Sequence, residues 1–210
     1  MSAAAVIPAP RERVGRKIML TLKHYLAGVV KGDGYISTRS KDYEVKITDR
    51  NRDYIETLKK LVEEACGLTP KIIKEENSWR LRIYRKEIHQ ELTYLVKTLS
   101  MKPDNYFITG LIDAEGDYNS KKRRLRITNK DLELLLNIHQ YLENHRIASC
   151  IYRRKRTCHI WYALEIYGYM NIRTMLNLIR PIHPRFKSLY IDFLPTLRGW
   201  SGRLLGLKRP

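Results

Sequence analysis

Tyr25-Leu-Ala-Gly-Val-Val-Lys-Gly-Asp-Gly34 and Phe107-Ile-Thr-Gly-Leu-Ile-Asp-Ala-Glu-Gly116 are one stretch written twice. Each is an apolar run with small residues four apart, Gly28 and Gly32 in the first copy and Gly110 and Ala114 in the second. A carboxylate follows each run, Asp33 or Glu115, and a glycine follows the carboxylate. Residues four apart share one face of a helix, so each run predicts a short helix (24–32 and 106–114) with a strip nearly free of side chains. Two such strips let helix backbones approach closely, the packing logic of small-xxx-small pairs. Glycine after the acid is the residue expected where a helix stops.

The repeat extends outward from these stretches. Val45-Lys-Ile-Thr48 is matched by Leu125-Arg-Ile-Thr128, and Leu81-Arg-Ile-Tyr84 by Leu164-Glu-Ile-Tyr167. Gly28 and Gly110 are 82 residues apart, Thr48 and Thr128 80, and Tyr84 and Tyr167 83. Landmarks in one order at a nearly constant offset describe a duplicated unit. The halves are 23–98 and 106–180, joined by a linker at 99–105 that contains Pro103. After the short helix, each half predicts two strands, an amphipathic helix, two more strands and a final helix. The first amphipathic helix runs from Arg52 to Cys66 with Ile55, Leu58, Leu61, Val62 and Ala65 on its stripe. The second runs from Asp131 to Asn144, with Leu132, Leu135, Leu136, His139 and Leu142 as its stripe. The fold class is therefore α+β, with both halves close together.

Strand alternation separates two faces. Val45, Ile47, Leu81, Ile83, Leu125 and Ile127 point one way; Lys46, Arg80, Arg82, Arg124 and Arg126 point the other. An open face rich in arginine suits phosphate and base edges. Over the whole chain, 40 Lys and Arg against 22 Asp and Glu give a net charge of +18, which calls for a polyanionic partner. The candidate DNA contacts are Ser37, Arg39, Lys46, Arg80, Arg82, Arg124, Arg126, Arg154 and Arg156. No apolar stretch is long enough to span a bilayer, and no membrane partner is expected.

The two acids are selected by the repeat. Asp113 lies near Glu115, but its counterpart is Lys31; Asp117 is matched by Tyr35. Among the acids of the motif stretches and the residues that follow them, only positions 33 and 115 are acidic in both copies, so Asp113 and Asp117 read as structural or solvated. Two carboxylates about 5 Å apart repel by roughly 3 kcal/mol at an effective dielectric near 20. A shared proton or a cation relieves that repulsion. The last helical carbonyls are unpaired and partly negative at the same place. Main-chain oxygens of Gly32 and Ala114 thus join Asp33 and Glu115 as hard ligands suited to Mg²⁺, with Mn²⁺ as a substitute. Such an ion can activate water at a phosphate.

These residues resemble the LAGLIDADG homing endonucleases, whose motif reads here as Leu26–Gly34 and Ile108–Gly116. The resemblance covers residues 23–180 and is nearest to the monomeric, two-motif archaeal members encoded within introns. It implies two αββαββα units related by a pseudo-twofold axis, with saddle-shaped antiparallel sheets in the DNA major groove. It also implies double-strand cleavage across the minor groove at the centre of a long target, leaving short 3′ overhangs. Asp33 and Glu115 become the metal-binding catalytic acids. Asp49 with Arg50, and Asn129 with Lys130, match the polar and basic residues that the family places near the active centre. Phosphate contact or helix capping would account for them equally well. Asp49 departs from the family where an amide is more typical; Lys31, Gly32 and Thr109 depart within the motif without removing an acid. A splicing maturase acting on intron RNA and a non-cutting DNA-binding regulator of the same fold are the alternatives.

Two segments lie outside the repeat. Residues 1–22 carry Arg11, Arg13, Arg16 and Lys17 without an apolar signal core and read as a flexible basic arm. Pro8, Pro10 and Glu12 weaken an organellar transit reading. Residues 181–210 form a basic extension whose Phe186, Leu189, Tyr190, Phe193, Leu194, Leu197 and Trp200 suggest partial packing on the body. Cys66, Cys150 and Cys158 form no even framework, which suits an intracellular, reduced protein, and Cys150, Cys158 and His159 lack a fourth zinc ligand. The resemblance to archaeal members implies a cytoplasmic setting in a prokaryote.

Overall fold

Both motif stretches are helical, and each leads straight into an antiparallel sheet. The computed structural model describes residues 10–39, 42–156 and 159–193. The first half comprises α1 (Pro10–Asp33), β1 (Gly34–Ile36), β2 (Glu44–Asp49), α2 (Arg52–Cys66), β3 (Lys71–Lys74), β4 (Trp79–Tyr84) and α3 (Lys86–Met101). The second comprises α4 (Asn105–Glu115), β5 (Gly116–Asn119), β6 (Arg124–Asn129), α5 (Leu132–Asn144), β7 (Cys150–Arg156), β8 (His159–Tyr167) and α6 (Tyr169–Leu178). A 3-10 turn (Pro184–Phe186) and α7 (Lys187–Phe193) follow. The sheet orders are β1-β2-β4-β3 and β5-β6-β8-β7, antiparallel throughout, so the αββαββα plan is present twice.

Registers repeat as well. Glu44 faces Tyr84 and Lys46 faces Arg82 in the first sheet; Arg124 faces Tyr167 and Arg126 faces Glu165 in the second. Val45, Ile47, Leu81, Ile83, Leu125, Ile127, Leu164 and Ile166 are buried beneath the helices. One core runs through both halves, with the paired motif helices at its centre. Asn51 and Asp131 cap α2 and α5 by accepting the backbone N–H of Tyr54 and Leu134, both at 3.0 Å. Gly67 closes α2 in the left-handed conformation at φ 62°, where glycine carries no Cβ penalty.

Four sequence expectations change. The first helix begins at Pro10, inside the segment read as a flexible arm, so the motif helix is the end of a longer one. Helix α3 runs to Met101, which shortens the connection before α4 to Lys102–Asp104. The buried stripe of α5 is Leu134, Leu135, Ile138 and Leu142; Leu136 is 49% exposed, and His139 bonds Ser149 instead of entering the core. A leucine-rich run offers two helical registers, and packing on the sheet selects one. Neither motif glycine ends its helix by adopting positive φ. A Cβ at Gly34 would lie 2.5 Å from Val30 Cα, and one at Gly116 would lie 2.3 Å from Ile112 O. Glycine is required there because the chain turns back against the last helical turn.

The extension packs as its apolar residues suggest: Phe186, Leu189, Tyr190 and Phe193 are buried. Leu194, Leu197 and Trp200, with Arg198, Arg203, Lys208 and Arg209, lie outside the described residues, as do residues 1–9 of the arm and Cys158. No helix among the described residues is long and apolar enough to cross a membrane.

Candidate active site

The site begins with two glycines that have no room for a side chain. A Cβ at Gly28 would sit 2.0 Å from Phe107 O, and one at Gly110 would sit 2.1 Å from Tyr25 O. Tyr25 and Phe107 hold equivalent places in the repeat, so the contact is reciprocal and defines the pseudo-twofold axis. One turn further on, a Cβ at Gly32 would lie 2.4 Å from Ala114 Cβ and 3.0 Å from Glu115 Cγ. The helix ends are thus fused, and Asp33 and Glu115 leave the same point.

Their electrostatics reflect that convergence. Asp33 is open on one side, but the atoms behind it strip hydration from its carboxylate. That burial, with Glu115 and then Asp49 adding to it against Arg185, pushes its pKa up to about 7. Burial also raises Glu115, and Arg185 opposes the shift. Two oxygen-bearing acids that resist ionisation together suit a hard divalent cation. No group of three or more His, Cys, Asp or Glu side chains is arranged for a metal among the described residues. The remaining ligands would be main-chain oxygen, water or phosphate.

Beside the acids lies an open cavity of about 560 Å³. Asp33 and Ala114 form one wall, Thr48 to Asn51 and Ser78 a second, and His183 and Arg185 a third. Asp49 Oδ1 accepts the backbone N–H of Asn51 at 2.6 Å, bracing the start of α2. Its Oδ2 faces His183 Nε2 at 3.2 Å and Arg185 Nη2 at 3.3 Å. Burial works against its charge, but His183, the Asn51 N–H and Arg185 outweigh burial and hold Asp49 below its usual range. Asn129 braces α5 in the same way, accepting the Asp131 N–H at 3.0 Å. Neither Asp49 nor Asn129 caps a helix itself; each holds the N–H of the residue that does, Asn51 or Asp131, in both halves. Arg50 lines the cavity and is exposed; Lys130 is exposed at the equivalent place in the second half.

The arginines expected to meet DNA are ordered by acids. Glu44, only 3% exposed, holds Arg82 and, at 2.8 Å, Lys46. Glu165, 1% exposed, holds Arg154 at 3.0 Å and Arg124 at 3.4 Å. Arg80 pairs with Glu75 at 2.8 Å and Arg126 with Asp117 at 3.0 Å. Arg39 is exposed beyond β1. Ser37 does not reach this surface: it is buried, and its hydroxyl donates to Asp42 at 2.8 Å. Its backbone N–H pairs with Glu44 O at 3.0 Å and its carbonyl meets His89 Nε2 at 2.8 Å, which hold it away from the open face. Arg156 ends β7, and its side chain lies outside the described residues.

Three groups near the acids escape a reading based on the repeat. His183 and Arg185 belong to the extension, and Asp113 has Lys31 as its counterpart. Asp113 is wholly buried and accepts the backbone N–H groups of Ile182 and His183, both at 2.9 Å, and the Tyr25 hydroxyl at 2.8 Å. Burial raises its pKa to about 7 against those three donors. The mismatch between Asp113 and Lys31 was the available signal that something non-symmetric is tethered there.

A model of the LAGLIDADG-like domain matches residues 21–94 and again residues 102–180. The homing endonuclease I-DmoI of Desulfurococcus mucosus is 29% identical over 143 residues, covering 61% of this chain and 72% of its own. A structure of I-DmoI with DNA and Ca is 23% identical, with a TM-score of 0.65 over 82% of this chain and 98% of that one. The homing endonuclease I-WcaI bound to its DNA recognition sequence superposes with a TM-score of 0.60 at 16% identity, covering 87% and 94% of the two chains. Two matched domains, two fused motif helices and two sheets of one topology have a single reading: the chain belongs to the LAGLIDADG-like domain family and carries two copies of its unit.

Proposed function

We propose that this chain is a site-specific endonuclease that cuts both strands of a DNA duplex with a divalent metal. The observation that carries the proposal is the meeting of Asp33 and Glu115 at the ends of two helices whose backbones touch. Asp33 and Glu115, with main-chain oxygens of Gly32 and Ala114, would hold Mg²⁺, and Mn²⁺ would serve as a substitute. When bound, the metal supplies an activated water and charge stabilisation at the phosphate. Arg50 and Lys130 each have an exposed cation beside a braced loop, which suits clamping a phosphate on either strand. The sheet arginines then read the flanking grooves, and their ordering by buried glutamates favours fixed hydrogen-bond directions over diffuse attraction. Both half-sites are read within one chain, so a monomer suffices.

The test incubates the chain with a duplex spanning the joined exons that flank its gene, in Mg²⁺. Wild type is expected to yield a double-strand break with short 3′ overhangs. Asp33→Ala should bind the duplex and leave it intact. A wild-type chain that binds tightly and never cuts would overturn the nuclease reading.

A further inference from the structure

The acids lie on a pseudo-twofold axis, but one side of the centre carries a residue set that the other lacks. Pro181–Phe186 is held in place from several directions. Asp113 takes the N–H groups of Ile182 and His183, and Tyr190 donates its hydroxyl to Pro181 O at 2.5 Å. Phe186 is buried against Gly116, where its Cζ would lie 2.9 Å from an added Cβ. Asp192, further along, accepts the hydroxyls of Tyr118 and Ser120 at 2.6 Å.

This anchoring sets one ring and one cation. The His183 ring is 6% exposed and packs against Tyr54 at a centroid distance of 4.3 Å. Its Nδ1 accepts the Arg185 N–H at 2.9 Å, so the neutral ring carries its proton on Nε2, the atom facing Asp49. Arg185 reaches Asp49 through Nη2, while its side chain stays about one-third exposed in the cavity beside Asp33. The remaining guanidinium donors form a planar fork suited to phosphate oxygens. In the second half, the position of Asp49 is Asn129, an amide whose oxygen is engaged by Asp131.

Building on the nuclease reading, we propose that Arg185 contacts the scissile phosphate of one strand only, on the side of the first half. Asp49 and His183 are positioning residues that aim its guanidinium. An aspartate at position 49 then has a reason: an amide there could brace α2, but it would not carry the charge that holds Arg185.

Two measurements on the full chain test this. In the first, target duplexes bearing single ethylated phosphates are bound with Ca²⁺ in place of Mg²⁺. Wild type should lose binding when the scissile phosphate of one strand is ethylated, and Arg185→Ala should lose that sensitivity at that phosphate while keeping the flanking pattern. An unchanged pattern overturns the assignment. In the second, strand cutting is followed in Mg²⁺ on duplexes labelled at each end. Arg185→Ala should slow one strand at least tenfold and accumulate a nicked product. Arg185→Lys should recover part of the rate, and Asp49→Asn should give the same strand bias in weaker form, a bias that the accompanying loss of melting temperature would not by itself produce. Equal slowing of both strands, or no slowing, overturns the proposal. A wild-type chain that fails to cut at all removes the nuclease reading, and the ethylation pattern still decides whether Arg185 meets phosphate.

Discussion

Glu44 and Arg82 in the first sheet, and Arg124 and Glu165 in the second, hold equivalent positions with acid and base exchanged. Glu44 and Arg124 are 80 residues apart and Arg82 and Glu165 are 83, the spacing of the repeat itself. In both sheets the glutamate is buried and the basic partners reach the open face. A buried carboxylate is tolerated only with a cation beside it, so an ion pair diverges as a unit and either member can become the acid. The motif helices show the opposite behaviour: Gly28 and Gly110 make reciprocal contacts and leave no room for change. The halves therefore share their glycines where the helix backbones touch and differ in the charged pairs of their open faces. That division suits a target whose two half-sites differ.

The largest effect should fall on the shared centre. Asp33→Asn and Glu115→Gln are each expected to slow cutting by about 10³-fold or more, equivalent to roughly 4 kcal/mol of transition-state stabilisation. Both strands should suffer, because the acids form one composite centre. Cutting measured strand by strand would break the comparison if either substitution spared one strand.

Next in size is the helix interface. Gly28→Ala and Gly110→Ala place a methyl about 2 Å from a backbone oxygen, which neither helix can relieve without separating. Each should cost at least about 3 kcal/mol of stability in denaturant unfolding, and by the same amount in the two halves. A large inequality would show that the axis is less symmetric than the contacts imply.

The exchanged ion pairs give a smaller, reversible effect. Arg82→Ala strands Glu44 and should cost about 1–3 kcal/mol, reduced from the figure for a fully buried pair because Arg82 stays partly exposed and Lys46 remains. The double variant Glu44→Arg with Arg82→Glu converts the first sheet to the arrangement of the second. It should recover most of that stability while changing base preference in one half-site only, measured by binding to targets substituted in either half. Altered preference in both half-sites would sever the link between sheet and half-site.

What was legible from sequence follows the same division. The bounds of α2, the alternation of the central strands and the acids Asp33 and Glu115 rest on local periodicity or on the duplication, and both are patterns written in residue types along the chain. The α5 register was not legible, because Leu134 and Leu136 are equally apolar and only packing distinguishes them. Ser37 was misplaced among the DNA contacts because its burial depends on Glu44, Asp42 and His89, which bond it from outside its own strand. His183 and Arg185 were out of reach for a different reason. They lie outside the repeat, and their position depends on Asp113, some 70 residues earlier, accepting two backbone N–H groups. Asp113 is structural, one of the two roles the repeat left open for it, but a comparison of repeats marks what is shared and could not say what Asp113 tethers.

The smallest effect concerns the metal-free protein and separates Asp33 from Asp113. Both carboxyls are raised from their usual 3.8 to about 7 in the folded chain. A raised carboxyl means that the folded state binds the proton more tightly than the unfolded one. The stability it contributes is complete below about pH 4 and is lost as pH rises through about 7. Asp49, Glu44 and Asp131 are lowered, so their contribution is present above the usual carboxylate range and is lost as pH falls below it. Metal-free protein should therefore melt highest on the acid side of neutrality and lose a few degrees on approach to pH 8. Mg²⁺ added at pH 8 should restore the part due to Asp33, because a cation replaces the proton between the two acids. It should not restore the part due to Asp113, which three protein donors surround and no ion can reach. Asp33→Asn should flatten the pH profile and abolish the response to Mg²⁺ in thermal melts, whereas Asp113→Asn should flatten the profile and keep it. If Mg²⁺ stabilised wild type and Asp33→Asn alike, the ion would be binding elsewhere, and the central acids would not be its site.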